Sequence, residues 1–327
     1  PYVGEGTRTH LYRDDLWVVA SVTDNSIYQV RWDGSFEESS LGDPRYTNSH
    51  HNMDPGKDGI LNNVSLRDGD IYLPESVLIE MENDGTVLRS WVFDDILSEI
   101  ITAGGEDPSI LIRNRLDWFH MNAAAYDASD DGVLVSAREN FVIKIDHATG
   151  AVRWLLGNPD KLWYTAYPNS LQPLALEVTG RPPIGQHSLS VSPDGSRLLL
   201  FNNGAGNLWL PEGGDTQEES LVSIYEIDEE AGTATEAWRY EHMPPLFAPG
   251  CSSAQWQEDG SVLATYILAA SAIVDGIELE PHARVVLVSP DMEVLYEASI
   301  PWRSGELTVC FSVYKVKRVG LENMRFE

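Results

Sequence analysis

Three histidines, His51, His120 and His187, recur along the sequence at nearly equal distances. His51 stands eight positions before the glycine of a turn in "HNMDPGKDG", and His187 does the same in "HSLSVSPDG". "HMNAAAYDASDDG" places His120 in this register if its turn is four residues longer. Histidine can act as a nucleophile toward phosphoryl or sulfuryl centres, as an acid or base near neutral pH, or as a metal ligand.

Either histidine of the pair "HH" could be the first of the three repeated histidines. Aligning "SHHN" with "FHMN" selects His50, whereas the eight-residue spacing to Gly59 selects His51. We place His51 in the site on the spacing and keep His50 as a possible substrate contact.

Two further polar residues accompany His120. Asn122 lies two positions later and, if the segment is a strand, on the same side of it. Arg138 lies on the next predicted strand, in "VLVSAREN". Three imidazoles and an asparagine could hold a metal. A guanidinium repels a divalent cation, however, and its planar fork binds oxyanions. We therefore expect no metal, and an anion with charge spread over several oxygens.

The elements that position these residues are predicted from turns. The turn signals "WDGS", "NDGT", "DDGV", "ATGA", "PDGS" and "EDGS" separate short alternating apolar runs, which is typical of antiparallel hairpins. The larger units repeat about every 67 residues with about four strands each, which indicates a β-propeller. In a propeller, the first strand of each blade lines a central channel, so equivalent residues of successive blades converge near the axis. "DDILSEIITAG", residues 94–104, is the best candidate for a short helix.

We predict an all-β chain in which residues 1–327 form a single propeller domain with about five blades visible. Blades begin near residues 51, 120, 187 and 252. Residues 11–40 resemble most of another blade without its innermost strand, and residues 308–319 form a strand that could close the ring. Because the chain begins with Pro1 rather than Met, we expect it to be truncated at the N-terminus.

The composition narrows the range of partners. A net charge of −29 repels nucleic acid and anionic membranes, and no apolar run approaches a membrane span of about eighteen residues. No signal peptide is visible, and no glycine-rich loop offers a seat for a nucleotide or another cofactor. The two cysteines, Cys251 and Cys310, match no metal spacing and form either one disulfide or two buried thiols.

Four stretches together resemble the bacterial aryl-sulfate sulfotransferases, which use no nucleotide sulfate donor. They are "SHHNMDPGKDG", "DWFHMNAAAYDASDDGVLVSARENFVIKID", "TGAVRWLLG" and "GQHSLSVSPDGSRLLLFNNG", and they cover roughly residues 45 to 205. The resemblance implies a six-bladed propeller and a ping-pong reaction without a cofactor. In that reaction a phenolic sulfate ester donates its sulfuryl group to a histidine, and an acceptor phenol then takes it.

The resemblance also assigns roles. It implies that His187 is the nucleophile and that Arg138, Asn122, His120 and His51 or His50 bind the sulfate oxygens. It also implies that one histidine protonates the leaving phenolate, and we favour His120 for that step. Phe119, Trp118 and Tyr164 are candidate walls for the aromatic ring, although core packing explains them equally well.

The resemblance further implies a periplasmic or secreted protein that could form a homodimer. The chain departs from better-known members in lacking two cysteines before the "QH" motif and in offering only some fifty residues before the double-histidine motif. Two other functions stay open: a metal-dependent propeller hydrolase or oxygenase, and a binding propeller without catalysis.

Overall fold

The computed structural model describes residues 7–13, 16–21, 25–31, 33–210, 216–268, 272–274, 277–279 and 282–301. Within them, five successive sheets are built mainly from antiparallel strands. The first sheet contains β1 (Thr7–Arg13), β2 (Leu16–Ser21), β3 (Ser26–Arg31) and β4 (Phe36–Ser40). The second contains β5 (Tyr46–Pro55), β6 (Ile60–Asp68), β7 (Ile71–Met81) and β8 (Val87–Val92). The third contains β9 (Met121–Asp127), β10 (Gly132–Ala137), β11 (Phe141–Asp146) and β12 (Val152–Gly157).

The last two sheets carry additions to this plan. The fourth contains β13 (Glu177–Thr179), which runs parallel to β17, and then β14 (His187–Val191), β15 (Arg197–Asn202), β16 (Leu221–Asp228) and β17 (Thr233–Glu241). The fifth contains β18 (Ser253–Trp256), β19 (Val262–Leu268), β22 (His282–Val288) and β23 (Val294–Pro301). Between β19 and β22 lies a small hairpin of β20 (Ala272–Val274) and β21 (Ile277–Leu279).

The first strands of neighbouring sheets contact one another in chain order: β1 with β5, β5 with β9, β9 with β14, and β14 with β18. Sheets arranged around a shared set of inner strands are the blades of a β-propeller, so the predicted all-β fold with five blades is confirmed. The expectation that the first blade lacks its innermost strand is wrong. That strand is β1, whose sequence "TRTHLYR" has no apolar alternation because only Leu11 and Tyr12 are apolar. Residues 308–319 lie outside the described part of the chain.

The predicted turns join the strands as expected. The glycines of five of the six turn signals have φ between +73° and +87°: Gly34, Gly85, Gly150, Gly195 and Gly260. Glycine reaches this left-handed conformation without the steric cost of a Cβ atom, which is why it marks the hairpins. In "DDGV" the preceding Asp131 takes that conformation instead, with φ of +59°.

Apolar side chains fill the space between neighbouring blades. The largest of these clusters lies between the second and third blades and includes helix α1 (Phe93–Ala103), which confirms the predicted helix. Leu97 and Ile101 of α1 are fully buried there. The other helical segments are short: α2 (Leu162–Thr165) and the 3₁₀ turns Pro108–Ile110 and Gln172–Leu174. Among the described helices, none is long and apolar enough to cross a membrane.

A buried ion-pair cluster also joins the third and fourth blades. The Lys144 ammonium lies 2.9 Å from Asp127, 2.7 Å from Asp130 and 2.6 Å from Glu229. These carboxylates raise the pKa of Lys144 even though burial opposes its charge. Apolar packing and buried ion pairs therefore both connect the blades that carry the candidate site.

Candidate active site

The three predicted histidines lie where the inner strands of the second, third and fourth blades approach one another. His51 lies within β5, His120 directly precedes β9, and His187 is the first residue of β14. The ring centroids of His51 and His120 are 5.0 Å apart, and those of His51 and His187 are 6.1 Å apart. The structure therefore brings together three side chains that are separated by more than 130 residues of sequence.

Irregular backbone at these positions departs from the simple strand alternation. In β5, His51 falls outside the ladder, between the pairs His50–Asn63 and Met53–Asn62. His51 and His120 have φ of +48° and +50°. A left-handed non-glycine residue costs roughly 1–3 kcal/mol and persists only where its surroundings enforce it. Two such residues in one cluster of histidines therefore indicate a candidate functional site.

Glu75, near the start of β7, connects the histidines of two blades. Its Oε1 lies 3.0 Å from Nδ1 of His50, and its Oε2 lies 2.9 Å from Nε2 of His51 and 3.5 Å from Nδ1 of His120. Burial alone would raise the pKa of Glu75, but the three imidazoles, His120 foremost, hold it well below its usual range. The site thus contains a permanent carboxylate that favours protonated histidines around it.

His120 is held as a cation. Its Nδ1 forms a short hydrogen bond with Asp117 as well as facing Glu75. Burial opposes protonation of His120, yet the charges of Glu75 and Asp117 outweigh it and raise the pKa of His120 to about 9. The protonated imidazolium therefore dominates at neutral pH, and the group can donate a proton.

His187 has the opposite character. Burial, together with the nearby charge of Arg138, lowers the pKa of His187 well below its ordinary value of 6.5. Nδ1 lies 2.8 Å from Oδ1 of Asn203 and 3.2 Å from the Gly185 carbonyl, so this nitrogen carries the proton. Nε2 accepts the backbone N–H of Cys251 at 3.3 Å. His187 is therefore a neutral imidazole with its lone pair on Nε2, which is the form a nucleophile requires.

The amide of Asn203 is oriented by its own neighbours. Its Nδ2 donates to the carbonyls of Ala248 and Cys251, at 2.7 and 3.1 Å. Because two carbonyl oxygens occupy that side, the Oδ1 atom is the one that must face His187. Asn203 thus fixes both the tautomer and the orientation of the His187 ring.

Arg138 supplies positive charge from a fully buried position. Its Nη1 lies 2.5 Å from Oε1 of Glu139, and its Nη2 donates to the carbonyls of Gly206 and Pro249, at 3.3 and 3.5 Å. Burial lowers the pKa of Arg138, but its starting value of 12.5 leaves the group charged at neutral pH. Within the described part of the chain its Nε–H is buried and has no hydrogen-bond partner.

Glu139 ties Arg138 to a loop of the fourth blade. The carboxylate of Glu139 accepts the backbone N–H groups of Leu208 and Trp209, at 3.0 and 3.1 Å. The buried Lys161 donates to the carbonyl of Glu139 at 2.9 Å, and burial lowers the pKa of Lys161 to about 7. The guanidinium is thus set in a rigid network rather than on a mobile side chain.

Two further predicted site residues, Asn122 and His50, lie beside the three clustered histidines. Asn122 is buried and donates from Nδ2 to the carbonyl of Gln186, the residue before His187, at 2.7 Å. His50 lies behind His51, between Glu75 and the Ser65 hydroxyl, which is 3.2 Å from its Nε2. His51, not His50, is the member of the pair whose ring packs against His120 and His187.

The candidate aromatic walls belong largely to the core. Trp118 and Phe119 are fully buried. Trp118 donates from Nε1 to Asp94 of α1 at 3.1 Å, and Phe119 stacks on Phe93 with centroids 4.8 Å apart. They anchor the segment that presents His120. Tyr164 packs edge-on against the buried Trp163 at 5.4 Å.

Four residues of the site were not predicted from the sequence. They are Glu75, Asp117, Glu139 and Asn203. Asp117 and Glu139 adjoin recognised motifs in "DWFH" and "SAREN", and Asn203 ends the stretch "LLLFNN". The position of Asn203 at the end of an apolar strand could have indicated that it has a functional role. Glu75 had no local sign, because its role depends on the pairing of β7 with β6.

The cluster also offers a set of potential metal ligands. Ligand atoms of His51, Glu75 and His120 lie within 4.8 Å of one another. In the structure each of these atoms is engaged in an ion pair or hydrogen bond within the cluster. A second set of the same kind comprises Asp58, Glu80 of β7 and His147.

The sequence matches one known protein family. The profile of the arylsulfotransferase (ASST) family matches residues 11–303. The chain belongs to the arylsulfotransferase family. It is 28% identical over 165 residues to the arylsulfate sulfotransferase AssT of Escherichia coli O6:H1, a match that covers 45% of this chain and 27% of that protein. It is 29% identical over 161 residues to AssT of Lelliottia amnigena, covering 44% of this chain and 26% of that protein.

The chain therefore matches only about a quarter of the length of these relatives. Among solved structures, it is similar to the WD40 β-propeller domain of Doa1, with a TM-score of 0.48, 9% identity and coverage of 91% of this chain and 70% of that one. It is also similar to virginiamycin B lyase from Staphylococcus aureus, with a TM-score of 0.44, 12% identity and coverage of 91% and 71%.

Proposed function

We propose that this chain carries the catalytic centre of an aryl-sulfate sulfotransferase that works through a sulfohistidine on His187. The observation that carries the proposal is the contrast between the surroundings of two histidines of one cluster: Nδ1 of His187 faces the Asn203 amide oxygen, whereas Nδ1 of His120 faces the carboxylates of Asp117 and Glu75. His187 is neutral with its lone pair on Nε2, while His120 is a cation. A nucleophile and an acid are thus present together at neutral pH, beside a buried arginine.

In the first half-reaction, Nε2 of His187 gives up its hydrogen bond from the Cys251 N–H and attacks the sulfur of a phenolic sulfate ester. The bond between sulfur and the phenolic oxygen breaks, and the departing oxygen takes the proton of His120. Arg138 stabilises the sulfuryl oxygens, whose negative charge is spread as in phosphoryl transfer. Asn203 accepts the Nδ1–H of His187, so it stabilises the positive charge that develops on the ring.

In the second half-reaction an acceptor phenol enters. The neutral His120 takes the proton of the phenol, the phenolic oxygen attacks the sulfur, and the bond between sulfur and Nε2 breaks. Both histidines return to their starting states, and no cofactor is consumed. His51, whose ring packs against those of both His120 and His187, holds a sulfate oxygen during both steps.

The experiment is a brief mixing of the purified protein with 4-nitrophenyl sulfate in the absence of acceptor. We expect a burst of nitrophenolate stoichiometric with protein and a mass gain of one SO₃ group. His187→Ala should abolish both, whereas His242→Ala, a buried histidine of the fourth blade outside the site, should retain both. A folded parent protein with neither burst nor adduct would overturn the proposal.

A metal-dependent hydrolase is the second candidate, favoured by the convergence of His51, Glu75 and His120. Elemental analysis and chelation distinguish the two functions. Tightly bound metal whose removal abolishes turnover would support the hydrolase, while full turnover after chelation would support the histidine mechanism.

We also propose that the protein works outside the cytoplasm. Cys251, next to the nucleophile, is disulfide-bonded, and structural disulfides persist in oxidising compartments. The other cysteine, Cys310, lies outside the described residues. Thiol titration of denatured protein from the native host should find no free thiol before reduction and two afterwards; two free thiols before reduction would contradict the proposal.

A further inference from the structure

Lys161 is a buried lysine that the proposed mechanism does not use. It directly precedes α2, and its side chain is fully buried. Its Nζ donates to the backbone carbonyl of Glu139 at 2.9 Å. Within the described part of the chain, no carboxylate forms an ion pair with this ammonium group. When Lys161 is protonated, its charge therefore has no counter-ion in contact.

The other buried lysine among the described residues, Lys144, shows what such a group normally requires. Three carboxylates lie 2.6 to 2.9 Å from its ammonium and raise its pKa. At Lys161, burial lowers the pKa to about 7; the charge of Glu139 opposes this shift, and the charge of Arg138 adds to it. A buried amine without a counter-ion readily loses its proton, and it regains the proton when a negative charge comes near.

The negative charge that reaches this part of the molecule in the proposed reaction is the sulfate ester. Glu139, whose carbonyl binds Lys161, directly follows Arg138, and its carboxylate pairs with the Arg138 guanidinium. The charge of Arg138 acts on the pKa of Lys161 and also on that of His187, where the sulfuryl group is transferred. Lys161 and the proposed sulfate position are therefore close enough for their charges to interact through the protein interior.

The neighbouring cations are already paired with carboxylates. Arg138 forms an ion pair with Glu139, and His120 faces two carboxylates. Such pairs add little net positive charge to attract an anion, and the chain as a whole carries a charge of −29. Protonated Lys161 adds a positive charge that no carboxylate in contact cancels.

We propose that Lys161 is a positioning residue of the sulfate site, which holds the Glu139–Arg138 pair and takes up a proton from the solvent when a sulfate anion binds. The inference rests on the proposed sulfuryl transfer, and it adds that donor binding is coupled to protonation of a group that does not touch the donor. The described charges that act on Lys161 are those of Glu139 and Arg138, in the turn between β10 and β11.

The direction of the pH effect follows from the chemistry of lysine. Lysine is charged below its pKa, so the contribution of Lys161 to anion affinity is present at acidic pH and is lost as the pH rises through about 7. Two unit charges about 10 Å apart inside a protein change a binding constant by a factor of roughly ten. We therefore expect sulfate to prefer the charged form of Lys161 about tenfold.

The first test uses inorganic sulfate as the probe and measures proton uptake in a pH-stat. At pH 7.5 a lysine with a pKa of about 7 is about one-quarter protonated, and a tenfold preference of sulfate for the charged form raises this to about three-quarters. Saturating sodium sulfate should thus consume about half a proton per chain, beyond a sodium chloride control of equal ionic strength. Lys161→Met and Lys161→Arg should lack this uptake, whereas Lys57→Met, at an exposed turn of the second blade, should keep it.

The affinity for sulfate should show the same dependence. At pH 6, Lys161→Met should bind sulfate about tenfold more weakly than the parent, and the difference should disappear by about pH 8.5, where the parent lysine is neutral. A purely structural role would weaken binding equally at both pH values and would overturn the inference, as would uptake that persists in folded Lys161→Met. If the Lys161 variants do not fold, the parent decides: no uptake beyond the chloride control overturns the inference.

The donor kinetics separate this inference from the function on which it rests. At pH 6, the concentration of 4-nitrophenyl sulfate that gives half of the maximal burst rate should rise about tenfold in Lys161→Met. The burst at saturating donor should still reach one nitrophenolate per chain. A normal burst with an unchanged half-saturating concentration and no proton uptake would overturn the role of Lys161 alone. Absence of the burst in the parent would overturn the sulfotransferase, whether or not sulfate binds with proton uptake.

Discussion

Replacement of Glu75 by glutamine tests how the site charges His120. The pKa of about 9 for His120, against an ordinary value of 6.5, corresponds to about 3 kcal/mol in favour of the imidazolium. Glu75 at 3.5 Å and Asp117 share this stabilisation. Because the two carboxylates also offset the opposing effect of burial, equal contributions mean that Glu75→Gln removes at least about 1.5 kcal/mol, which is a tenfold or greater loss of proton affinity.

The sign of the pH effect follows from the direction of the shift. His120 is protonated below its pKa, so the parent should release a poor leaving group well until the pH rises through about 9. In Glu75→Gln this loss should begin at least about one pH unit lower. 4-Nitrophenyl sulfate, whose phenolate leaves without much protonation, should be affected much less than phenyl sulfate.

The assay is the single-turnover rate of phenol release between pH 6 and pH 10, with both esters and both proteins. Asp95→Asn, an exposed residue of α1, serves as the charge-matched control. If the rate of phenol release from phenyl sulfate declined at the same alkaline pH in Glu75→Gln as in the parent, Glu75 would not be the residue that positions and charges His120.

Three further predictions concern the nucleophile and its surroundings. Because the pKa of His187 lies well below 6.5, the burst rate with 4-nitrophenyl sulfate should stay level as the pH falls through 6.5; a limb centred there would contradict a neutral buried His187. Asn203→Leu removes the acceptor of the Nδ1–H and should slow formation of the adduct by about 10- to 100-fold, with circular dichroism unchanged; a normal rate would show that Asn203 does not position the ring. Glu139→Gln leaves Arg138 buried without its carboxylate and should lower the free energy of unfolding by about 3 kcal/mol in urea titrations, whereas a loss under 0.5 kcal/mol would refute that coupling.

The sequence predicts the hairpins of the blades well, but it does not predict the innermost strand of the first blade. Turn glycines and apolar alternation locate the hairpins because these features follow from local backbone sterics and from burial of one strand face. The first strand escaped prediction because "TRTHLYR" has no such alternation, and its place is set by pairing with β2 and contact with β5.

The residues of the site also differ in how well the sequence predicts them. His51, His120 and His187 could be placed together because they share a position in the repeat. Glu75 could not, because its contact with three imidazoles depends on a left-handed backbone, with φ of +50°, and on the approach of two blades. Neither feature leaves a local pattern in the sequence.

Asn122 lies where the strand pairing is irregular. A register shift in the pairing of β9 with β10 interrupts the alternation, and the side chain bonds the backbone before His187. Local sterics therefore predict the blade, whereas the chemistry depends on bulges at its inner edge.

The measurement that tests the account most directly is the location of the transferred group. The protein is mixed with 4-nitrophenyl sulfate, quenched at alkaline pH and digested, and the modified peptide is sequenced by mass spectrometry. The account predicts one SO₃ group per chain on His187, discharged when a phenol is added before the quench. The group on His51 or His120, or an adduct that phenol does not discharge, would contradict it.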